Sequence, residues 1–350
     1  MSARLLALLA ACAASCAAPT GPSVELSSRH ALVRADGQGD ALAASAWLEQ
    51  LYPAVLGELV GTAVRPLELW YVRTLRRSPR ELSPEHVAGF TRFVDDGSIQ
   101  IHLRVEEDPR WALAHELVHA LTGPGWDPLP GVVNEGLADV VAERVCADLS
   151  PLARATRVLN ASRFFGGLHL QVRYNDPATG VSQQGRVHLR SGPEGEAPDP
   201  ALPFELDRWE LNRELTYLPE TYYGLGYLAA VRAVDRAGVS GLYALCERAQ
   251  RQERTVVPSE WLFELAELET REQWELGLER LLGRDELMQL HRLDPELLPS
   301  VLALSLRAAY GETPASDFLQ RARPRIVGSD GSELGLLELP EGAERFERLW

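Results

Sequence analysis

Two apolar runs joined by a turn-rich loop make up residues 109–142, which read PRWALAHELVHALTGPGWDPLPGVVNEGLADVVA. The first run begins at Pro109 and extends to Leu121, and its pattern predicts a helix. Three prolines and three glycines between Thr122 and Gly131 break that helix, and a helical pattern resumes from Val132 to Cys146. Because most of their residues are apolar, both helices are expected to be buried, so their polar side chains need partners.

The polar side chains of the first helix form the pattern HELVH. His115 and His119 are four residues apart, so they project from one face of the helix and two imidazole nitrogens can reach the same ion. Glu116 points beside them toward a metal-bound water. A metal would remove the cost of leaving these ionisable groups unpaired in an apolar helix. Core polar groups satisfied by hydrogen bonds are the alternative.

The second helix carries a matching set of polar residues. Glu135 and Asp139 are an i, i+4 carboxylate pair on one face, where like charges repel. A zinc ion bound by Glu135, with Asp139 accepting a proton from the outer nitrogen of a ligand histidine, would compensate for this repulsion. Gly136 is expected to let the two helices approach closely. Two such helices within a short stretch favour a metal site over separate core polar groups.

Together, HELVH at 115–119 and NEGLAD at 134–139 resemble the motifs of the gluzincin metallopeptidases. The resemblance is closest to the peptidase-MA-like group, whose second motif reads Glu-Gly-Leu-Ala-acid after a proline. It implies that one zinc ion per chain is bound by His115, His119 and Glu135, that Glu116 is the catalytic base, and that Asp139 hydrogen-bonds His115.

The same resemblance extends to other segments of the chain and is weaker over residues 205–250. Tyr223 is expected to donate a hydrogen bond to the oxyanion of the transition state, with Tyr222 as second choice and a core tyrosine as the alternative. Asn134 matches the Asn-Glu pair of thermolysin-like enzymes and is expected behind the ligands. The strand Gly97 to Leu103 takes the place of the gluzincin edge strand, which holds an extended substrate by backbone pairing.

Strand and helix patterns surround the two motif helices. Strands are predicted within Val24–Ala35, at Leu67–Val72, at Ile99–Leu103 and in a hairpin from Leu168 to Leu189. Helices are predicted at Asp40–Val60, Tyr222–Ala237, Gly241–Arg251 and within Trp261–Leu304. The expected fold class is α+β, a gluzincin-type metallopeptidase domain with a small mixed sheet and active-site helices, followed by a mainly helical C-terminal region.

The start of the chain has the pattern of an export signal. Residues 1–11 contain one positive charge and an apolar run too short to span a bilayer. The tetrad Leu9-Ala10-Ala11-Cys12 resembles the lipobox of bacterial lipoproteins, which implies a membrane-held lipid anchor at Cys12. Ala13 after the cysteine implies the outer membrane. An ordinary signal peptide cut near Ala18 is the alternative.

The expected domain organisation follows from these patterns. It consists of a lipoprotein signal peptide (1–11), a tether (12–22), a sheet and zinc-helix region (23–160), an inserted hairpin and linker (161–203), a helical C-terminal subdomain (204–310) and a C-terminal extension (311–350). The 350 residues, 45% of them hydrophobic, suffice for one large or two ordinary domains. The net charge of −15, with 50 acidic and 35 basic residues, disfavours a nucleic-acid partner.

Several single residues leave two interpretations open. Cys146 and Cys246 are either bridged or small buried apolar residues. His169 and His188, on opposite strands of the hairpin, are either ligands of a second ion or polar strand positions. His102 is a candidate substrate contact.

The sequence thus predicts a zinc metalloendopeptidase-like hydrolase of the bacterial cell envelope, acting on a peptide or protein substrate with Glu116 activating the water. The first alternative is a non-catalytic envelope lipoprotein with a structural zinc site and a partner-binding helical region. Three protein ligands favour an enzyme, whereas a fourth would favour a structural site. The second alternative is a latent peptidase whose hairpin at Leu168–Leu189 covers the cleft.

Overall fold

The computed structural model describes residues 22–78, 81–82, 88–175, 179–190, 219–293, 323, 325–328, 331 and 333–336. The predicted signal peptide, Cys12, most of the predicted linker and most of the predicted C-terminal extension lie outside these residues. The chain forms two compact units, of which the first ends at Thr122 and the second begins at Gly123. This boundary falls inside the region 23–160 that the sequence pattern treats as one. No helix among the described residues is long and apolar enough to cross a bilayer.

The first unit combines strands with two helices. Its elements in chain order are β1 (Val24–Ser27), β2 (Leu32–Ala35), α1 (Gln38–Glu58), β3 (Leu67–Val72), β4 (Arg76–Ser78), β5 (Glu81–Leu82), β6 (Gly89–Phe93), β7 (Ile99–Arg104) and α2 (Arg110–Leu121). Five strands form one mixed sheet in the order β1-β2-β3-β7-β6, and β4 pairs with β5. The β2–β3 and β3–β7 pairs are parallel, while β1–β2 and β6–β7 are antiparallel.

Alternating apolar residues place the core of this unit on one face of the sheet. Leu69 of β3 lies opposite Ile101 of β7, and neither side chain is exposed. Helix α1 contributes Leu48 and Leu51 to the core, and α2 packs against α1, β6 and β7. Burying these side chains supplies the main stabilisation of the unit. The HELVH helix is therefore anchored on a sheet.

The two edge strands of this sheet are β1 and β6. The prediction that Gly97–Leu103 forms the edge strand is wrong, because β7 lies between β3 and β6. A tight turn, in which Ser98 donates its backbone N–H and its hydroxyl to Asp96 Oδ1, joins β6 to β7 as an antiparallel hairpin. No residue of β6 is fully buried, so the strand lacks the alternating pattern that identified its neighbour.

The second unit is mainly helical. Its elements are α3 (Gly131–Val145), α4 (Ser150–Phe164), β8 (Gly167–Asn175), β9 (Ser182–Arg190), α5 (Pro219–Arg251), α6 (Ser259–Ala266), α7 (Arg271–Arg280), α8 (Arg284–Leu293), β10 (Arg325–Val327) and β11 (Glu333–Leu336). Helix α5 changes direction at Gly238 and packs against both α3 and α4. The hairpin β8–β9 belongs to an antiparallel sheet of order β11-β10-β8-β9.

These elements confirm the α+β class and most of the predicted segments. The helix α4 and the strands β4, β5, β6, β10 and β11 were not predicted. Helix α4 mixes Ser, Asn and Arg with its apolar residues, so its helical pattern is weak. The strands β10 and β11 are only three and four residues long, which is too short for a clear alternating pattern.

Cys146 and Cys246 are buried and are not disulfide-bonded to each other. Burial raises the pKa of the Cys246 thiol to about 12. The sequence left two interpretations open, and the structure supports the one in which Cys146 and Cys246 are small buried apolar residues.

Candidate metal centre

Helix α2 presents two imidazoles to one point. The Nε2 atoms of His115 and His119 are 3.2 Å apart, and their rings meet edge to face with centroids 4.9 Å apart. Two ligands at about 2.0–2.1 Å from a tetrahedral zinc ion are themselves separated by about 3.3 Å. The pair therefore has the spacing of two metal ligands, and in the metal-free protein the same spacing allows one N–H to be shared between the rings.

Glu116 follows the first of these histidines but contacts the sheet. Its side chain is only 8% exposed, and its carboxylate oxygen Oε2 accepts a hydrogen bond of 2.7 Å from the hydroxyl of Thr91 in β6. Among the residues that the structure describes, no second side chain hydrogen-bonds this carboxylate. The predicted base is thus buried, oriented and bonded through one oxygen.

Helix α3 carries the second motif. It begins after Pro130, which is compatible with a helix start because proline needs no hydrogen-bond acceptor for its nitrogen. Glu135 is half-buried and Asp139 is 1% exposed. Oδ2 of Asp139 accepts a hydrogen bond of 2.5 Å from Nε of Arg157 in α4. The guanidinium of Arg157, from the neighbouring helix α4, therefore compensates part of the repulsion between the carboxylates of Glu135 and Asp139.

Arg157 connects three of the predicted site residues. Besides its ion pair with Asp139, its guanidinium lies over the ring of Tyr223 at 5.6 Å from the centroid. Burial alone would lower the pKa of Arg157, but Asp139, Glu135 and Tyr223 act in the opposite direction and raise it. The guanidinium therefore stays charged, and it holds a positive charge close to Glu135 and Tyr223.

His115, His119 and Glu135 form a group that could hold a metal ion. One potential ligand atom from each of His115, His119 and Glu135 lies within 4.8 Å of the other two, and all three residues are half-buried. Two imidazoles and one carboxylate form the donor set of catalytic zinc sites with an open coordination position. No fourth His, Cys, Asp or Glu joins this group among the described residues. The chemistry of the donor set fits a zinc ion.

Three further predicted residues lie in α3 and α5. Asn134 precedes Glu135 in α3, and its side-chain oxygen is buried without a hydrogen-bond donor among the described residues. Tyr222 and Tyr223 lie in the first turns of α5, and desolvation raises the pKa of Tyr222. The contact with Arg157 is made by Tyr223, the preferred candidate.

Gly136 lies at a close contact between α3 and α5. A Cβ atom at this position would clash with the backbone of Gly226 in α5, and a Cβ at Gly226 would clash with the Val132 carbonyl. The small residues thus let α3 and α5 touch backbone to backbone. The three atoms nearest to such a Cβ at Gly136 all belong to α5.

The remaining histidines were secondary candidates. His102 is 8% exposed and is stacked between Trp70 and Phe90, with ring centroids at 5.2 Å and 4.7 Å. It is therefore a packed residue of the sheet face rather than an exposed contact. His169 and His188 are directly opposite each other in the β8–β9 register, and this backbone pairing leaves both of their interpretations open.

Sequence reasoning missed Thr91 and Arg157. Both belong to elements that the sequence pattern did not predict, namely β6 and α4. Arg157 is one of 35 basic residues and Thr91 one hydroxyl in a short strand, and no local spacing links either to the two motifs. Only packing within each unit brings Thr91 to Glu116 and Arg157 to Asp139.

No known protein family matches the chain, and no curated protein sequence or solved structure matches it either. The candidate ligand triad, which is His115, His119 and Glu135, and the side chains that contact its helices are therefore the observations that bear on function.

Proposed function

We propose that this protein is a zinc-dependent metallopeptidase that hydrolyses peptide bonds at the bacterial cell envelope. The observation that carries the proposal is the convergence of His115, His119 and Glu135, with Glu116 beside them on the same helix. A bound zinc ion would supply a Lewis acid and a nucleophile at neutral pH. The resemblance of the two motifs to gluzincin peptidases supports the choice of a peptide as substrate.

The buried carboxylate of Glu116 is suited to general-base catalysis. Oε2 is engaged by Thr91, which leaves Oε1 to take a proton from the attacking water and to deliver it to the nitrogen of the leaving amine. A base of this kind contributes about 10²- to 10⁴-fold to the rate. Glu116 is therefore the residue whose substitution separates catalysis from metal binding.

Two other parts of the chain complete the proposed site. The hydroxyl of Tyr223 would donate a hydrogen bond to the oxyanion that forms during peptide hydrolysis. The charge of Arg157 beside its ring favours that donation, because it lowers the cost of placing negative charge nearby. The edge strand β6 would bind the extended substrate by backbone pairing, the role assigned from the sequence to its neighbour β7.

The test compares the purified full-length protein with two variants that carry the same chemical change. Glu116→Gln removes the base, and Glu264→Gln changes an exposed glutamate of α6. We expect the wild type and Glu264→Gln to contain one zinc ion per chain and to cleave members of a peptide library. Glu116→Gln should keep its zinc and lose hydrolysis.

Two outcomes contradict the proposal. Full activity of Glu116→Gln would refute the role of the base. A wild type that binds zinc and cleaves no peptide would favour the alternative of a non-catalytic lipoprotein with a structural zinc site.

The envelope location has its own test. Cys12→Ala should release the protein from the membrane fraction and abolish incorporation of labelled fatty acid, because it removes the proposed site of lipidation. Cys16→Ala, four residues further along the chain, is the matched control and should stay with the membrane. Lipidation that persists in Cys12→Ala would refute the anchor.

A further inference from the structure

Thr91 contacts the proposed base from the middle of β6. Its hydroxyl oxygen is 2.7 Å from Oε2 of Glu116 and 3.2 Å from the backbone carbonyl oxygen of the same residue. A hydroxyl has one proton, so it donates to one of these acceptors at a time. The shorter distance and the charge of the carboxylate favour Oε2 as the acceptor.

The pairing of β6 and β7 sets the position of Thr91. Thr91 lies opposite Ile101, and Gly89 lies opposite Leu103, and both partners are almost fully buried. Residues two apart in a strand point to the same side, so Gly89 and Thr91 share one face. A Cβ atom at Gly89 would lie 2.6 Å from Cδ2 of Leu103 and 3.4 Å from Cγ of Glu116. Glycine therefore leaves room for the Leu103 side chain on this face, and the Glu116 side chain lies next to it.

We infer that Thr91 is a positioning residue for Glu116, an inference that rests on the proposed peptidase function. With Oε2 held by the hydroxyl, the carboxylate has less freedom to rotate, and Oε1 stays turned toward the attacking water. Protonation of Oε1 leaves Oε2 able to accept the same hydrogen bond. The carboxylate is thus held in one place both when it takes the proton and when it delivers it to the leaving amine.

A structural role is the competing explanation, because the contact at 3.2 Å with the Glu116 carbonyl oxygen would tie β6 to α2. Three substitutions separate the two roles. Thr91→Val removes the hydroxyl and keeps a branched side chain that suits a strand. Thr91→Ser restores the hydroxyl. Thr156→Val is the matched control, because the Thr156 hydroxyl donates to the Leu152 carbonyl oxygen at 2.8 Å on the exposed side of α4.

Steady-state kinetics provide the first measurement. In Thr91→Val we expect kcat to fall about 10- to 100-fold, while KM and zinc content stay at the wild-type values. Thr91→Ser should recover most of the activity, and Thr156→Val should behave as the wild type. A wild-type kcat in Thr91→Val, or a loss that Thr91→Ser shares, would overturn the inference.

Crystal structures of the metal-free proteins provide a measurement that does not depend on catalysis. The Glu116 carboxylate should occupy one position in the wild type and Thr91→Ser, and another position or several in Thr91→Val. An undisturbed carboxylate in Thr91→Val would overturn the inference whether or not the protein cleaves peptides. A displaced carboxylate in a protein that cleaves no peptide would support the positioning contact and refute only the proposed function.

Discussion

The guanidinium of Arg157 in α4 donates a hydrogen bond of 2.5 Å to the carboxylate of Asp139 in α3. Asp139 is 1% exposed, so its charge is almost completely removed from water. A buried carboxylate is tolerated when a cation and hydrogen bonds replace its hydration. The pair explains how a helix with two acidic residues on one face can be packed inside the second unit.

Replacement of Arg157 should therefore destabilise the protein strongly. In Arg157→Met the cation that compensates the Asp139 charge is lost, and we expect the free energy of unfolding to fall by about 3 kcal/mol or more, measured by urea denaturation. Arg251→Met is the control, because Arg251 is 68% exposed and forms a distant pair with Glu247. The control should lose less than about 0.5 kcal/mol. An equal loss of unfolding free energy in the two variants would contradict the conclusion that Arg157 compensates the charge of Asp139.

Zinc should stabilise the folded protein through the ligand triad. A ligand that binds only the folded state at about 1,000 times its Kd adds about 4 kcal/mol to the free energy of unfolding. Thermal unfolding with and without zinc should show this increment in the wild type. His115→Ala and Glu135→Gln should lack it, because each removes one ligand atom of the group.

His30→Ala is the control for the loss of a histidine. His30 stacks on Tyr52 at 4.2 Å in the first unit and belongs to no ligand group among the described residues. This variant should keep the full zinc increment even if its own stability is lower. An increment that survives in Glu135→Gln would remove Glu135 from the ligand set.

The stability of the first unit should depend on pH through His102. Burial and the positive charge of Arg92 lower the pKa of His102 to about 4, whereas Glu68 acts weakly in the opposite direction. Between this value and the ordinary pKa of 6.5, the unfolded chain binds more protons than the folded one. Stability is therefore complete above the unfolded pKa and falls as the solution is acidified toward the folded pKa.

His102→Phe keeps an aromatic ring between Trp70 and Phe90 and removes the titration. Between about pH 7 and pH 5 we expect the wild type to lose about 2 kcal/mol more than this variant, measured by urea denaturation. His30→Gln should keep the wild-type dependence. Identical pH profiles for the wild type and His102→Phe would show that another group is responsible.

Tyr227 should contribute to stability through a buried ionic cluster. Its hydroxyl donates a hydrogen bond of 2.6 Å to Glu143, which also pairs with Arg154, and burial raises the pKa of Tyr227 to about 12. Tyr227→Phe should cost about 1–3 kcal/mol, because it removes a bond to a buried charged acceptor. In Tyr174→Phe, which loses a surface hydrogen bond to Gln183, we expect almost no change in unfolding free energy. A loss no larger than that of this control would argue against the cluster.

The local sequence patterns were enough to predict the two helices that carry the motifs. They were also enough to predict that the side chains of His115 and His119 approach each other. His115 and His119 lie four residues apart in an apolar run, and one turn of helix is enough to place their Nε2 atoms 3.2 Å apart. The strands β3 and β7 were likewise predictable, because a buried strand shows its apolar residues within a few positions. These features depend on neighbours in sequence.

Tertiary structure alone decided which residues surround the motif side chains. Thr91 reaches Glu116 because β6 pairs with β7 at the edge of the sheet, and Arg157 reaches Asp139 because α4 and α3 both pack on α5. Neither contact leaves a local pattern, since each joins residues from separate elements and depends on how those elements pack. The sequence therefore identifies the candidate metal ligands His115, His119 and Glu135, whereas packing decides the hydrogen bonds and charges at Glu116 and Asp139.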